Sequence, residues 1–186
     1  MRDDIREILI DEERIRARVR EIGEQIAATY GEREVLLMPL LTGSIIFLAD
    51  LVRCLPMRMR IDVMAVSSYR GRATVNQGTR VLYPTAFDVA GKDVLVIDDI
   101  LDTGRTMKTV CELLREQGAA GVKACVLLRK KLSAEPAARA DFVGFEIPDE
   151  FVVGYGLDFN GYYRNLPYLA VLHKRIIRGG PDAVGE

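Results

Sequence analysis

Residues 94–106 read VLVIDDILDTGRT, and this stretch decides the fold. Its first four residues form a continuous apolar run, which is typical of a strand buried on both faces of a parallel sheet. Asp98 and Asp99 follow at the carboxyl end of that strand, where open α/β sheets bind their ligands. Residues 102–106 then form a turn that opens a helix extending to about Gln117. The stretch therefore predicts a strand, a binding turn and a helix in succession.

The turn after the strand has the composition of a phosphate-binding loop. Gly104 lets the backbone approach a ligand closely, the hydroxyls of Thr103 and Thr106 can donate hydrogen bonds, and a helix N-terminus favours an anion. The neighbouring carboxylates suit sugar hydroxyls or a Mg²⁺ ion that bridges to the phosphate. In a purely structural alternative, the acids end a strand and Asp102 caps the helix. Three carboxylates beside a Gly/Thr turn favour ligand binding over that alternative.

The same order of elements recurs upstream and downstream of this unit. Residues 35–41 form a second apolar run, residues 42–44 (TGS) a turn, and residues 45–55 an amphipathic helix. Further strands are predicted over residues 59–67 and 122–128. Alternating strands and helices predict an α/β fold, with a mainly parallel twisted sheet flanked by helices.

The two ends of the chain differ from this alternating middle. A helix is predicted between Asp11, a suitable N-cap, and Gly31, because isoleucine and valine recur there on one helical face. Residues 69–80 are polar and predict a long loop. Residues 141–186 contain short aromatic-rich strands that break the alternation. We expect them to form most of a small hood on a single domain that covers the chain.

Composition and charge exclude several classes of function. The 186 residues carry 26 Lys and Arg against 27 Asp and Glu, a net charge of −1, which argues against binding to nucleic acid or to a membrane surface. The N-terminus is charged and the longest uncharged stretch, residues 35–49, contains Pro39 and Gly43, so neither a secretory signal nor a spanning helix is expected. Three scattered cysteines and one histidine oppose a disulfide framework or a multi-histidine metal site. We expect a cytoplasmic protein.

Residues 94–106 resemble the phosphoribosyl-diphosphate-binding motif of the type I phosphoribosyltransferase family: hydrophobics, two acids, two hydrophobics, a variable residue and Thr-Gly-x-Thr. Residues 41–44 (LTGS) look like its pyrophosphate loop, and residues 67–69 (SSY) like the start of its flexible catalytic loop. Residues 127–131 (LLRKK) look like its lysine strand. Residues 141–168 closely resemble the base-binding hood of the family's hypoxanthine-guanine branch.

The resemblance implies an enzyme of purine salvage. Such an enzyme joins N9 of a 6-oxopurine base, hypoxanthine or guanine, to ribose C1 of phosphoribosyl diphosphate through an oxocarbenium-like transition state. It releases pyrophosphate and forms IMP or GMP. Mg²⁺ is the implied cofactor, since the leaving group carries much negative charge. Members of the family form homodimers and homotetramers.

Three residues take catalytic roles by resemblance. Asp102 would exchange a proton with purine N7, and Lys130 would donate to purine O6. Tyr69 belongs to the loop whose closure excludes water from the oxocarbenium ion. Alone, Lys130 would more often be a surface lysine and Tyr69 an ordinary loop aromatic. The matching segments around them favour the functional roles.

Metal and substrate ligands follow from the resemblance in the same way. Asp98 and Asp99 would hold the ribose hydroxyls and one metal ion, and Asp158 would help to hold a second metal ion on the pyrophosphate. Phe151 would stack on the purine ring, and Val152 would meet the edge of the base through its backbone. The other implied substrate-binding residues are Thr42, Gly43, Ser44, Ser68, Thr103, Gly104, Arg105, Thr106 and Arg164.

The chain departs from the family pattern at two positions and leaves one alternative open. Thr42 stands where the pyrophosphate loop usually has a basic residue, and Asp98 stands where this branch commonly has Glu. The resembling loop also implies an unusual backbone at Leu41–Thr42, and we expect a cis peptide bond there. Asp158 and Arg164, in turn, could form a structural ion pair.

Two rival functions fit parts of the sequence. An RNA-binding regulator on the same fold would keep the phosphoribosyl site and add a basic face, which the near-neutral charge opposes. A receiver-like signalling domain also places paired aspartates at a strand end, but it has no need of the DTGRT turn or of the aromatic hood. Asp102 favours hypoxanthine and guanine over adenine, because adenine-specific relatives typically have a small residue there. Acceptance of xanthine stays open.

Overall fold

The computed structural model describes residues 2–67, 80–83 and 88–179. The strands are β1 (Ile5–Ile10), β2 (Val35–Leu41), β3 (Met59–Ile61), β4 (Met64–Ser67), β5 (Arg80–Tyr83), β6 (Asp93–Leu101), β7 (Gly121–Lys130), β8 (Phe142–Ile147), β9 (Val152–Val153) and β10 (Leu169–Leu172). The helices are α1 (Glu12–Tyr30), α2 (Ile45–Leu51), α3 (Arg105–Glu116) and α4 (Lys174–Gly179). Within the described part of the chain, none of these helices is long and apolar enough to cross a membrane.

The main sheet confirms the predicted parallel architecture. Its strands follow the order β5-β4-β2-β6-β7-β8, and β3 also pairs with β2. Every pairing in this sheet is parallel except the one between β4 and β5. The carboxyl ends of β2, β6, β7 and β8 therefore lie along one edge of the sheet, where ligands bind in this type of fold.

Helices cover both faces of the main sheet, as predicted. Successive residues of β2 alternate between two hydrophobic cores: Val35 and Leu37 pack with α1 and α2, while Leu36 and Met38 pack with α3. All four side chains are buried. This double burial explains why the sheet strands are continuous apolar runs rather than alternating ones.

The predicted limits of α1 are confirmed. The Asp11 side chain accepts a hydrogen bond from the amide of Arg14 at 2.9 Å, which caps the helix N-terminus. At the other end, Gly31 has a φ of +59° and its amide donates to the Ala27 carbonyl at 2.8 Å. Helix α2 begins at the predicted residue and continues into a 3-10 turn over Val52–Cys54.

Two strands differ from their predicted extents. The strand predicted over residues 59–67 is two strands, β3 and β4, separated by Asp62 and Val63. The Asp62 side chain accepts a hydrogen bond from the Val63 amide at 2.9 Å, and such local bonding competes with the ladder. The strand predicted over residues 94–97 runs on as far as Leu101. Asp98 and Asp99, which we call the acid pair, therefore lie within β6 rather than after it.

A small antiparallel sheet, with the order β1-β10-β9, is built from both ends of the described chain. It differs from the predicted hood in two respects. The N-terminal strand β1 belongs to it, whereas β8, within the predicted hood, extends the main sheet beside β7. Residues 131–141, all of them described, connect β7 to β8 without a helix, and this broke the alternation in the sequence. The predicted loop at residues 69–80 lies almost entirely outside the described residues.

Candidate active site

A cavity of about 820 Å³ opens at the carboxyl edge of the main sheet. The ends of β2, β6 and β7 form its floor, and residues 150–164 form its roof. The predicted site residues that line it are Thr42, Gly43, Asp98, Asp99, Asp102, Thr103, Gly104, Arg105, Thr106, Lys130, Phe151, Val152, Asp158 and Arg164. Residues widely separated in sequence thus converge as parallel strand ends require.

Three predicted site residues are not placed in this cavity. Ser68 and Tyr69 lie outside the described residues. Ser44 is fully buried behind the cavity wall, and its hydroxyl donates to the Leu40 carbonyl at 2.6 Å. The Ser44 side chain therefore fixes the turn between β2 and α2.

The acid pair is held by its own backbone. The Asp98 carboxylate accepts a hydrogen bond from the Asp99 amide at 3.0 Å, and the Asp99 carboxylate accepts one from the Ile100 amide at 2.9 Å. Burial, and then the charge of Asp99, raise the pKa of Asp98 well above its usual range. Burial also raises the pKa of Asp99, although the nearby Arg164 acts in the opposite direction. Desolvation disfavours the charged form of both carboxylates. A cation bound between the acid pair and a ligand would stabilise that charged form.

The donor set at this edge fits a magnesium ion. Among the described residues, no three His, Cys, Asp or Glu side chains cluster into a complete metal site. Mg²⁺ is usually held by one or two carboxylates, with substrate phosphates and water as the other ligands. Asp98, Asp99 and Asp158 all line the cavity and could supply those carboxylates.

Backbone segments approach the acid pair closely at Gly43. A Cβ atom at Gly43 would lie 1.8 Å from the Asp99 carboxylate, so a side chain there would displace Asp99 from its present position. On the other side, a Cβ at Gly156, whose φ is +102°, would lie 2.2 Å from the Gly43 carbonyl oxygen. The peptide bond between Leu41 and Thr42 is cis, which confirms the expectation. The roof thus rests directly on the turn after β2.

The turn after β6, residues 102–106, has the glycine conformation expected of the predicted phosphate-binding loop, and we call this turn the cradle. Gly104 has a φ of +75° and occupies the N-cap position of α3. A Cβ there would lie 2.7 Å from the Ala138 backbone nitrogen, and the neighbouring Ala137 amide donates to the Thr103 carbonyl at 2.8 Å. The first amides of a helix have no partner within the helix and favour an anion. Asp102 does not cap α3; its side chain faces the cavity instead.

Lys130, the last residue of β7, lies between two carboxylates. Its ammonium group is 2.9 Å from Asp149 Oδ1 and 3.7 Å from Asp102 Oδ2. The Lys130 side chain is only 14% exposed, so it is not the solvated surface lysine of the structural alternative. A charged donor therefore stands in the cavity wall beside Asp102.

The roof combines two aromatic rings with an ion pair. Phe151 and Phe159 meet edge to face, with 5.5 Å between ring centroids. Arg164 lies 2.7 Å from Asp158 and donates to the Gly156 carbonyl at 2.6 Å. The ion pair of the structural alternative is thus formed. Both of its members also line the cavity, so the two roles coexist.

Glu150, Phe159 and Asn160 are among the cavity-lining residues that sequence reasoning did not single out. Glu150 directly precedes Phe151, and its carboxylate pairs with Arg6 of β1 at 2.5 Å. Asn160 has a positive φ of 53°. All three lie within residues 141–168, the segment that resembles the base-binding hood, but they had no individual role there, so their only signal was proximity to Phe151, Val152 and Asp158.

Comparison with known proteins agrees with this geometry. The sequence model of the phosphoribosyl transferase domain family matches residues 6–160. The hypoxanthine-guanine phosphoribosyltransferase of Bacillus subtilis is 42% identical over 92% of this chain and 96% of its own length. The protein of the same name from Mycobacterium tuberculosis is 38% identical over 93% of this chain and 89% of its own. A crystal structure of a hypoxanthine phosphoribosyltransferase from Staphylococcus aureus superposes with a TM-score of 0.89 at 37% identity, covering 95% of this chain and 96% of that one. These names favour a transferase over an RNA-binding regulator.

Proposed function

The chain belongs to the phosphoribosyl transferase domain family, within its hypoxanthine-guanine branch, and on this premise we propose that it makes purine nucleotides from free bases. It transfers the 5-phosphoribosyl group of phosphoribosyl diphosphate to N9 of hypoxanthine or guanine. The products are IMP or GMP and pyrophosphate. One observation carries the proposal: the acid pair, the cradle, Lys130 and the aromatic roof all line a single cavity.

The cradle and the acid pair bind the phosphoribosyl group. The free amides at the start of α3 and the hydroxyls of Thr103 and Thr106 hold the 5-phosphate. Asp98 and Asp99 stand beside the cradle at the end of the same strand, so their carboxylates accept hydrogen bonds from the ribose hydroxyls. This end of the cavity fixes C1 of the sugar for attack.

Bond breaking at C1 places negative charge on the leaving pyrophosphate. The bond from C1 to the pyrophosphate oxygen breaks, its electron pair leaves with the pyrophosphate, and N9 of the base supplies the pair for the new bond. Arg164 and the amides of Thr42 and Gly43 line the cavity and stabilise this charge. Mg²⁺, held by Asp98, Asp99 and Asp158, would neutralise part of the same charge when bound.

The base binds between the roof and Lys130. Phe151 stacks on the purine ring, and the backbone of Val152 meets its edge. The Lys130 ammonium donates to O6, and the Asp102 carboxylate accepts the proton that N7 loses as N9 becomes bonded to C1. The closeness of Lys130 to Asp102, 3.7 Å between charged atoms, supports a shared role at one edge of the base.

A turnover panel tests the proposal. The purified protein is assayed with phosphoribosyl diphosphate and Mg²⁺ against adenine, hypoxanthine, guanine, xanthine, orotate and uracil. We expect nucleotide formation with hypoxanthine, guanine or both, and at least about tenfold lower kcat/KM with adenine, since adenine turns a donor toward Lys130. Turnover confined to adenine or orotate, or to none of the six bases, would contradict the proposal.

We also propose a cytoplasmic location and a homodimeric or homotetrameric state. All three cysteines are free thiols, which suits a reducing compartment. Large apolar side chains are exposed on α2, at Ile45 and Ile46, and near β3, at Ile61 and Val63, and such side chains often mark subunit contacts. Light scattering coupled to gel filtration measures the state directly, and a monomer at all concentrations would contradict it.

A further inference from the structure

The ends of three neighbouring strands bring together an acid, a lysine and a second acid. Strands β6, β7 and β8 are adjacent and parallel, so their carboxyl ends lie side by side. Asp102 follows β6, Lys130 ends β7, and Asp149 follows β8. The lysine therefore stands in the middle, with one carboxylate on each flank.

The two carboxylates are not equivalent. Asp149 accepts a hydrogen bond from the ammonium at 2.9 Å, whereas Asp102 lies 3.7 Å away, beyond hydrogen-bond distance. Asp102 lines the cavity together with Lys130, but Asp149 lies outside the cavity lining. The Asp149 side chain is 62% exposed, while Lys130 is 14% exposed. The Lys130 ammonium is thus held by a carboxylate that lies outside the cavity in which the base is proposed to bind.

We infer that Asp149 is a positioning residue for the base, acting through Lys130. This inference rests on the proposed function. A lysine side chain is flexible, and its ammonium has three donors. When Asp149 takes one of them, the stem is fixed, and the remaining donors are available to O6 of the base.

Asp149 also keeps the lysine from closing on the proton acceptor. Without it, Asp102 is the carboxylate that remains within ion-pair distance of Lys130 among the described residues. A direct bond between Lys130 and Asp102 would draw the ammonium away from O6 and occupy the acceptor of the N7 proton. Anchoring by Asp149 therefore separates the two groups that act on the base.

Steady-state kinetics of Asp149→Asn test this inference. We expect KM for hypoxanthine or guanine to rise about 3- to 10-fold, the range for a charge-assisted hydrogen bond that is partly exposed. KM for phosphoribosyl diphosphate should stay within about twofold, because the cradle is not involved. Asp149→Glu, which keeps the carboxylate, should restore most of the base affinity.

Two further variants separate positioning from a general structural effect. Glu146→Gln is the matched control. Glu146 lies on β8 and pairs with Arg129 of β7 and with Lys131, which follows β7. It does not line the cavity. It should keep the wild-type KM for the base. In a Lys130→Ala background, Asp149→Asn should change that KM by less than about 1.5-fold, since the two residues act as a unit.

The outcomes distinguish this inference from the proposed function. If the wild-type protein turns over none of the bases, the proposed function is contradicted. Wild-type turnover with an unchanged base KM in Asp149→Asn overturns only the inference. So does an equal effect of Asp149→Asn with and without Lys130, or an equal rise in the KM of both substrates.

Discussion

Replacing Gly104 with alanine tests whether the turn after β6 is a rigid cradle. The residue has a φ of +75°, and a left-handed conformation costs a residue with a Cβ atom about 1–2 kcal/mol. The new methyl group would lie 2.7 Å from the Ala138 nitrogen and 3.0 Å from the Ala138 oxygen. Both atoms are backbone and cannot rotate away, so overpacking adds about 1–3 kcal/mol. We expect Gly104→Ala to lower the free energy of unfolding by about 2–5 kcal/mol.

Gly91→Ala is the matched control for the conformational part. Its φ is +68°, but a Cβ there would have no atom within 4 Å. It should cost about 1–2 kcal/mol and lower Tm by about 2–8 °C, with unchanged kinetics.

Gly104→Ala should also lower kcat/KM for phosphoribosyl diphosphate about 100-fold, because displaced cradle amides no longer fit the phosphate. Thermal unfolding and initial-rate kinetics measure both effects. If Gly104→Ala were no less stable than Gly91→Ala and kept its kcat/KM, the cradle would not depend on this contact.

The other predictions concern the metal, the base and the packing of the small sheet. Activity should be lost in EDTA, and the double variant Asp98→Asn, Asp99→Asn should need at least about tenfold more Mg²⁺ for half-maximal rate; full turnover in EDTA would contradict this. Asp102→Ala should lower kcat about 10²- to 10⁴-fold and leave KM for phosphoribosyl diphosphate nearly unchanged. Lys130→Ala should instead reduce the preference for hypoxanthine over adenine by about tenfold, and unchanged selectivity would return it to a structural role. Tyr163 packs against Val153 and Leu172 of the small sheet, and its hydroxyl donates to Asp4 Oδ2 at 3.0 Å. Burial and the Asp4 carboxylate raise the pKa of Tyr163 from 10.0 to about 12, so the folded chain keeps a proton that the unfolded chain loses. The phenol therefore stabilises the fold fully below pH 10.0, and Tyr163→Phe should be less stable than wild type by about 1–2 kcal/mol there. Denaturant titrations should show this difference in the free energy of unfolding shrinking as the pH rises through about 12. A difference that does not change with pH would show that the Tyr163 proton does not stabilise the fold.

Local signals account for what the sequence predicted well. The cap at Asp11 and the glycine at Gly31 lie within a few residues of the helix ends that they define. The run from Val35 to Leu41 is buried on both faces, so its strand shows directly in composition. The cradle residues were found because Asp102 and Gly104 belong to one short, continuous motif.

Features that depend on distant partners could not be predicted in this way. Strand β1 has three exposed residues out of six, two of them the charged Arg6 and Glu7, and its partner in the sheet is the distant strand β10. Strand β8 joins the main sheet through β7, although no helix precedes it to mark a crossover. Asp149 has a role only through Lys130, on a different strand, so no spacing along the chain reveals it. Pairing across strands is tertiary information, which composition and periodicity do not contain.

The pairing of β1 with β10 has a consequence for synthesis of the chain on the ribosome. Ile10 pairs with Leu169, so β1 emerges early and its partner emerges about 8–30 s later at typical rates of translation. The strands of the main sheet up to β8 can pair during that interval, because all of them precede Leu169. Until then β1 and β9 present unpaired edges, and such edges are templates for contacts with other chains. The nascent chain is therefore most exposed to aggregation just before β10 appears.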